Sequence, residues 1–192
     1  MRLKTDEIRI RTDNIFDKLT NVYLFDSLCT FLDYEIKNLY SESKPLQISV
    51  FCVNDWKLLC DIYGLSTGDA VLAAVAKIIL ERLTEKNVFI ARISYHEFAV
   101  VFPSMDLIDF VRVSEDIQKD VNNLQIKFLI PDSSENDYPE CWAKDGVSTS
   151  QISLEVAIIS KKIKSDDTYK TILSLLANID FEHNNEFGLI NM

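Results

Sequence analysis

Apolar residues recur along the chain with two different periods, and their alternation predicts a layered α/β protein. From Leu24 to Leu39 they keep the spacing of an amphipathic helix, whereas Gln47–Val53 is nearly continuous in apolar and β-branched residues, as a buried strand is. The remaining predicted elements are a loop over 41–45, helices over 55–63, 69–84, 106–122 and 168–182, strands over 125–130 and 152–159, and a hairpin over 91–103. This order favours a central, mostly antiparallel sheet flanked by helices, an α/β fold of the α+β kind.

The first 18 residues form a separate amphipathic segment. Apolar and charged positions alternate in it at helical spacing, with Leu3, Ile8 and Ile15 on the apolar stripe. We therefore expect a helix over residues 1–18 and a main domain over residues 19–192. Because a lone amphipathic helix cannot bury its stripe, this one should pack on the domain or pair with a second copy.

Composition and charge narrow the class of partners. The 192 residues carry a formal net charge of −10, which opposes binding to nucleic acid because phosphates would approach a negative surface. The apolar runs are too short and interrupted to enter a bilayer, and the N-terminus has no apolar signal region. The spacing of the four cysteines, Cys29, Cys52, Cys60 and Cys141, matches no zinc pattern. Three of them lie in apolar surroundings, so we expect buried free thiols in a reducing cytoplasm.

Three short motifs give the chain a resemblance to a known family. A polar turn joins two apolar strands, a four-residue motif opens the domain, and a third motif carries two glycines and an acid; they are Ser94-Tyr95-His96-Glu97-Phe98, Asp17-Lys18-Leu19-Thr20 and Tyr63–Leu72. In order and spacing they resemble the GGDEF family, the bacterial diguanylate cyclases that join two GTP molecules into cyclic di-GMP. The resemblance implies a palm-like domain with a ferredoxin-like core, and it makes residues 1–18 similar to the signalling helix that links such domains to others.

The turn matches the family motif in its position between two strands and in its last two residues, but it lacks the metal-binding carboxylate of that motif. The resemblance implies that metal-binding carboxylates should stand at Cys52 and His96, whose thiol and imidazole are poor ligands for Mg²⁺. Asn54 takes a position that is usually Asp. Glu97 is the one carboxylate left in the turn.

The contacts to the nucleotide are thinned as well. Ser94 and Tyr95 replace the two glycines that let the backbone turn tightly beside the nucleotide. In the family, one residue reads the guanine edge, and its position falls at Cys60 here. The acidic residue that reads the guanine together with it is kept as Asp69, and a lysine that many members have close to the triphosphate is kept as Lys57. Residual, weak GTP binding through Asp69, Lys57 and Asn54 is therefore conceivable, but cyclase activity is not expected.

Two further family sites are lost. The cations that the family brings to the phosphates near the C-terminus fall at Asn185 and Leu189. The inhibitory site, an Arg-x-x-Asp before the hairpin, falls at Glu85-Lys86-Asn87-Val88, so we expect no cyclic di-GMP there. No cofactor and no metal are expected.

Several residues allow two interpretations. Cys52 and His96 could face each other as a zinc or thiol site, or be a core thiol and a hydrogen-bonded turn residue. Asp69 could hold a guanine or cap the helix that follows, and we favour the cap. Glu97 could be a relic acid in a cleft or a solvated charge. Tyr95 could anchor a protein partner or fold over the vacated cleft.

The function indicated is that of a catalytically inactive GGDEF-like regulatory domain that binds a protein partner or a second copy of itself. The alternatives are a nucleotide sensor that binds GTP without turnover, or an enzyme with altered nucleotide chemistry that uses Glu97, His96 and Asp69. The expected location is the cytoplasm, in which the chain could be the cytoplasmic part of a larger protein.

Overall fold

The computed structural model describes residues 15–84, 86–103, 105–129, 147–151, 154–179 and 188–191. These residues form five helices and eight strands. The helices are α1 (Phe25–Glu42), α2 (Trp56–Tyr63), α3 (Leu65–Leu83), α4 (Leu107–Asn122) and α5 (Tyr169–Ala177). The strands are β1 (Tyr23–Leu24), β2 (Pro45–Val53), β3 (Phe89–Arg92), β4 (Glu97–Phe102), β5 (Gln125–Leu129), β6 (Val147–Gln151), β7 (Leu154–Lys162) and β8 (Gly188–Asn191).

Six strands form one sheet in the order β1-β3-β4-β2-β7-β8. The three inner pairs, β3 with β4, β4 with β2 and β2 with β7, are antiparallel, and the two outer pairs are parallel. β5 and β6 pair as a separate antiparallel ribbon. The prediction of a mostly antiparallel central sheet with helices is thus confirmed.

Helices cover both faces of the sheet, and the central strand β2 explains why. Along it, Phe51 and Val53 belong to one core cluster, with residues of α2, α3 and α4, whereas Ile48 and Val50 belong to a second cluster, with residues of α1 and α5. Successive side chains of a strand point to opposite faces, so a strand covered on both sides must be apolar at nearly every position. Burial on both faces therefore explains why the sequence of β2 is apolar almost without interruption.

The helix predicted from Asp69 begins four residues earlier, at Leu65. Gly64 adopts φ 85° and ψ 159°, which ends α2 and lets α3 start at the next residue. Asp69 therefore lies inside α3, and the interpretation that it caps this helix is wrong. By contrast, Asp106, the first residue of the helix predicted over 106–122, is the N-cap of α4, because its carboxylate accepts hydrogen bonds from the backbone N–H groups of Ile108 and Asp109.

Three other predicted boundaries also differ. At the predicted end of the helix expected over 1–18, residues 15–18 are not helical, and Phe16 forms a β-bridge with Tyr23. Residues 1–14 lie outside the described part of the chain. The last helix ends at Ala177 rather than near residue 182. The loop predicted over 41–45 is shorter, since α1 continues to Glu42 and β2 already begins at Pro45.

Among the residues that the structure describes, no helix is long and apolar enough to cross a membrane.

Candidate functional site

The polar turn of the hairpin lies against the end of the central strand. β3 ends at Arg92 and β4 begins at Glu97, and in the ladder between β2 and β4 Cys52 is the partner of Glu97. The next residue, Val53, donates its backbone N–H to the carbonyl of His96 at 3.0 Å. Directly paired residues project from the same face of a sheet. The turn and the strand end therefore place the side chains of Cys52 and Glu97 side by side.

Three side chains with potential ligand atoms meet here. The Cys52 sulfur, a ring nitrogen of His96 and a carboxylate oxygen of Glu97 all lie within 4.8 Å of one another. Cys52 is buried, and the other two are partly buried. The face-to-face placement of Cys52 and His96 is thus observed, and Glu97 joins them rather than standing apart in solvent.

The thiol of Cys52 lies between two acidic residues. Glu97 is its partner on β4, and Glu155 is its partner on β7, on the other side. Burial, followed by the negative charges of Glu97 and Glu155, raises the pKa of Cys52 to about 12. The thiol is therefore protonated at neutral pH, and it is not a nucleophile in this state.

Asn54 forms a hydrogen bond with Glu155 and adds no further carboxylate beside Cys52. Its side-chain amide donates to Oε1 of Glu155 at 2.8 Å. Burial raises the pKa of Glu155, the hydrogen bond from Asn54 opposes that shift, and the charge of Asp55 adds to it, so the net direction is upward. The second oxygen of Glu155, Oε2, is buried and accepts no hydrogen bond from the described residues.

Arg92 holds the turn in shape. Its guanidinium donates to the carbonyls of Ser94 at 3.2 Å and Tyr95 at 2.7 Å, and to both carboxylate oxygens of Asp17 at 3.3 Å. One side chain thus joins the motif that opens the domain to the tip of the hairpin. These hydrogen-bond donors stabilise the hairpin turn, which contains no glycine.

Asp17 is the anion that anchors this arrangement. It accepts hydrogen bonds from both the backbone and the hydroxyl of Thr20, at 2.9 and 2.7 Å. Burial alone would raise the pKa of Asp17, but these hydrogen bonds and the charge of Arg92 outweigh burial and lower it below the ordinary value of 3.8. The ion pair therefore persists through the neutral range.

The first helix after β2 supports the other side of the turn. The indole of Trp56 lies nearly parallel to the His96 ring, at 6.2 Å and 6°, and to the Tyr95 ring, at 6.3 Å and 16°. Tyr95 is nevertheless 77% exposed, the most exposed aromatic side chain in the described part of the chain. Phe98, the last residue of the motif, is fully buried in the core.

The residues suggested for residual nucleotide binding lie in a turn and on two helices. Lys57 on α2 and Asp69 on α3 are exposed, whereas Asn54 is engaged with Glu155. Cys60 is buried, and its sulfur packs against Gly68 so closely that a Cβ at that glycine would lie 2.3 Å from it. The position at which the family resemblance implies a contact with guanine thus holds a buried thiol.

A shallow groove of about 430 Å³ adjoins the outer side of the turn. It is separate from the Cys52 cluster and is lined by Asp17, Leu24, Phe25, Arg92, Ile93, Ser94 and Tyr95. The exposed Tyr95 ring therefore stands at the rim of a concave surface.

Comparison with known proteins decides the family. The family model described as diguanylate cyclase, GGDEF domain, matches residues 14–139, more than half of the chain. The chain belongs to the GGDEF family. It is 32% identical over 117 residues to the probable diguanylate cyclase DgcF of Escherichia coli K12, a match that covers 60% of this chain. The match covers only 35% of DgcF, so this GGDEF chain corresponds to about a third of that relative.

Solved GGDEF structures have the same fold. The diguanylate cyclase SiaD of Pseudomonas aeruginosa, solved with its activator SiaC, superposes with a TM-score of 0.73 at 19% identity, over 93% of this chain and 62% of SiaD. The GGDEF domain of DgcB from Caulobacter crescentus, solved with c-di-GMP, gives a TM-score of 0.70 at 19% identity, over 95% of this chain and 98% of that domain.

The magnesium that the GGDEF resemblance implies does not fit the donors present. Mg²⁺ takes oxygen ligands in near-octahedral geometry, and it disfavours thiols. Of the three clustered donors only Glu97 supplies oxygen, while Cys52 and His96 supply sulfur and nitrogen. We therefore derive no reaction step through magnesium at this site.

Sequence reasoning missed three residues that shape the site. Arg92 lies in the predicted hairpin, Glu155 in a predicted strand and Trp56 in a predicted helix, but none of them was predicted to belong to the site. The hydrophobic pattern gave no signal for Glu155, because its role depends on the pairing of β7 with β2. The position of Arg92 immediately before the turn was a usable signal, since its long side chain can reach back to the turn carbonyls.

Proposed function

We propose that this chain is a catalytically inactive GGDEF domain that acts in cyclic di-GMP signalling by binding a protein. The observation that carries the proposal is the donor set at the end of β2, where a buried thiol and an imidazole accompany the single carboxylate of Glu97. Joining two GTP molecules requires a divalent metal to neutralise the triphosphates and to activate a hydroxyl group. A site that does not suit magnesium removes the basis of that chemistry.

The surroundings support the same conclusion. In the GGDEF resemblance Cys60 replaces the residue that reads guanine, and the buried sulfur packed on Gly68 offers the base a poor partner. Lys57 remains near the expected triphosphate position as an exposed side chain, without the two cations that the resemblance places at Asn185 and Leu189. Charge-assisted hydrogen bonds are the strong contacts to phosphate, so their loss weakens binding more than the loss of neutral contacts.

The turn is instead suited to contact a protein. Tyr95 projects at the tip with 77% of its surface exposed, and Arg92 fixes the backbone on which it sits. Exposed aromatic side chains on rigid elements often anchor interfaces. The SiaD domain, which shares the fold, was solved in complex with a protein activator. The partner here is a regulatory protein or a second copy of the chain.

The remaining features fit a regulatory module of a cytoplasmic signalling protein. We propose that residues 1–18, of which 15–18 are not helical, connect the domain over 19–192 to the rest of that protein. The DgcF relative is about three times as long as the matched region, which is consistent with flanking domains. The net charge of −10 disfavours nucleic acid as a partner.

The alternative of a GTP sensor has less support. It depends on Asp69 and Lys57, whose side chains are exposed, and on Asn54, whose amide is bonded to Glu155. The enzyme with altered chemistry requires Asp69 to act together with His96 and Glu97, but only the last two belong to the three-residue cluster.

The direct test is to incubate the purified chain with GTP and excess Mg²⁺ and to separate the nucleotides by chromatography. We expect GTP to remain unchanged, with neither cyclic di-GMP nor a linear dinucleotide formed. The parallel arm is sedimentation velocity over a range of concentrations, with Tyr95→Ala as the surface variant and Tyr34→Ala, also exposed, as the matched control.

A nucleotide product that disappears in Glu97→Ala would overturn the proposal of inactivity. Self-association that Tyr95→Ala weakens and Tyr34→Ala does not would identify the second copy as the partner. A monomer at all concentrations would leave a different protein as the only partner consistent with the proposal.

A further inference from the structure

We infer that Cys52, His96 and Glu97 form a Zn²⁺ site that ties the hairpin turn to the end of the central strand. A thiolate, an imidazole and a carboxylate are the three kinds of side-chain ligand that zinc takes in proteins, and the Cys52 thiol, protonated in the metal-free chain, releases its proton to solvent when the ion binds. This inference goes beyond the proposed function, because neither inactivity nor protein binding requires a metal. It also departs from the expectation, drawn from cysteine spacing, that the chain holds none.

The geometry already brings the donors close to ligand distance. All three potential ligand atoms lie within 4.8 Å of one another. In a tetrahedral zinc site, bonds of about 2.0–2.3 Å separate the ligand atoms by about 3.3–3.6 Å. The donors therefore need to approach by about 1 Å, which side-chain rotation can supply without moving a strand.

The backbone that carries the donors is fixed independently of any metal. Cys52 and Glu97 are paired in the ladder between β2 and β4, and the hydrogen bond from Val53 to the carbonyl of His96 holds the turn beside them. The parallel indole of Trp56 restricts the plane of the His96 ring. A preorganised site loses less entropy when it binds its ion.

The charge of the surroundings also favours a cation. Glu155 is the β7 partner of Cys52, and its buried Oε2 accepts no hydrogen bond from the described residues. Glu155 is not a member of the three-donor cluster, so its carboxylate contributes negative charge from the outer shell. Within the described residues the cluster has three donors, and the fourth position of a tetrahedral site falls to water.

Cobalt titration of the full, reduced and metal-free chain tests the site. Co²⁺ replaces Zn²⁺ in such sites, and its bond to a thiolate produces a charge-transfer absorption band. We expect one Co²⁺ per chain with this band, displacement by one equivalent of Zn²⁺, and no displacement by excess Mg²⁺. Cys52→Ser should abolish the band, and His96→Ala should weaken Co²⁺ binding at least about tenfold.

Cys60→Ser is the matched control, because Cys60 is a similarly buried thiol on α2 outside the cluster. It should leave the band and the affinity unchanged. His96→Ala alters a turn residue rather than the core, so it remains informative if Cys52→Ser fails to fold. The absence of stoichiometric Co²⁺ binding, or a band that survives Cys52→Ser or is lost in Cys60→Ser, would overturn the inference.

Discussion

At the scale of single residues, the most consequential contact is the ion pair between Arg92 and Asp17. Both side chains are largely buried, with 15% and 17% of their surface exposed, and the same arginine holds the carbonyls of the turn. A partly buried, multiply hydrogen-bonded pair is worth more than an exposed one. This contact links the opening motif of the domain to the tip that carries Tyr95.

Asp17→Asn should lower the free energy of unfolding by about 1–2 kcal/mol at pH 7, because it removes the charge that pairs with Arg92. The pKa of Asp17 is lowered in the folded state, so the stabilisation is fully present above its unfolded pKa near 3.8 and is lost as the pH falls through the folded pKa. Urea unfolding at pH 7, 5 and 3 measures this difference in the free energy of unfolding, which should be the same at pH 7 and 5 and smaller at pH 3.

The exposed Asp33 on α1 provides the control, since Asp33→Asn makes the same change in charge. It should change stability by less than about 0.5 kcal/mol at every pH. If Asp17→Asn also changed the free energy of unfolding by less than about 0.5 kcal/mol at pH 7, the ion pair would not stabilise the fold.

At the scale of elements, two glycines four residues apart serve different purposes. Gly64 has φ 85°, and a Cβ there would meet no atom within 4 Å, so its value lies in the backbone conformation that separates α2 from α3. Gly68 lies inside α3, where a Cβ would be 2.3 Å from the sulfur of Cys60 and 3.0 Å from the indole nitrogen of Trp56. Gly68 is needed because the absence of a side chain leaves space for Cys60 and Trp56.

Gly68→Ala should therefore destabilise the protein by about 1–2 kcal/mol, even though alanine is the better helix former by about 1 kcal/mol. The overlap with Cys60 outweighs the gain in helix propensity. In a Cys60→Ala background the sulfur is absent, and the same substitution should cost at least about 1 kcal/mol less. Chemical unfolding of the two single variants and the double variant measures this coupling; additive effects would contradict the packing explanation.

The elements also show which parts of the fold can be predicted from sequence. The apolar run of β2 and the alternation around the hairpin are local signals, and both strands lie where they were expected. The start of α3 was misplaced because Gly68-Asp69 resembles a helix start, whereas the helix actually begins after the positive φ of Gly64. The helix predicted to end at residue 18 was wrong at that end, because Phe16 and Tyr23 form a local β-bridge across a turn that Asp17 and Thr20 stabilise, and the helical spacing of apolar positions gave no sign of this turn.

The site, like the fold, was predictable only where a local sequence signal exists. The family resemblance assigned Cys52 and His96 to one site but left open whether they face each other, and it left open whether Glu97 is an acid in a cleft or a solvated charge. The row formed by Glu97, Cys52 and Glu155 requires the order of three strands, which no local pattern contains.

At the scale of the whole molecule, the chain has a GGDEF fold in which a thiol, an imidazole and a carboxylate meet at the end of the central strand. Six strands with helices on both faces reproduce the fold of solved GGDEF domains, and the six-stranded sheet places the turn beside the end of β2. The frame of the motif is preserved because Phe98 and its strand belong to the core.

The central claim, that this site no longer serves GTP, is tested most directly by calorimetric titration of the purified chain with GTP in excess Mg²⁺. We predict no saturable heat up to millimolar GTP, because the clustered donors do not suit magnesium and the position expected to read guanine holds a buried thiol. Saturable binding at micromolar GTP that Asp69→Ala abolishes would contradict the claim and would make the domain a nucleotide sensor.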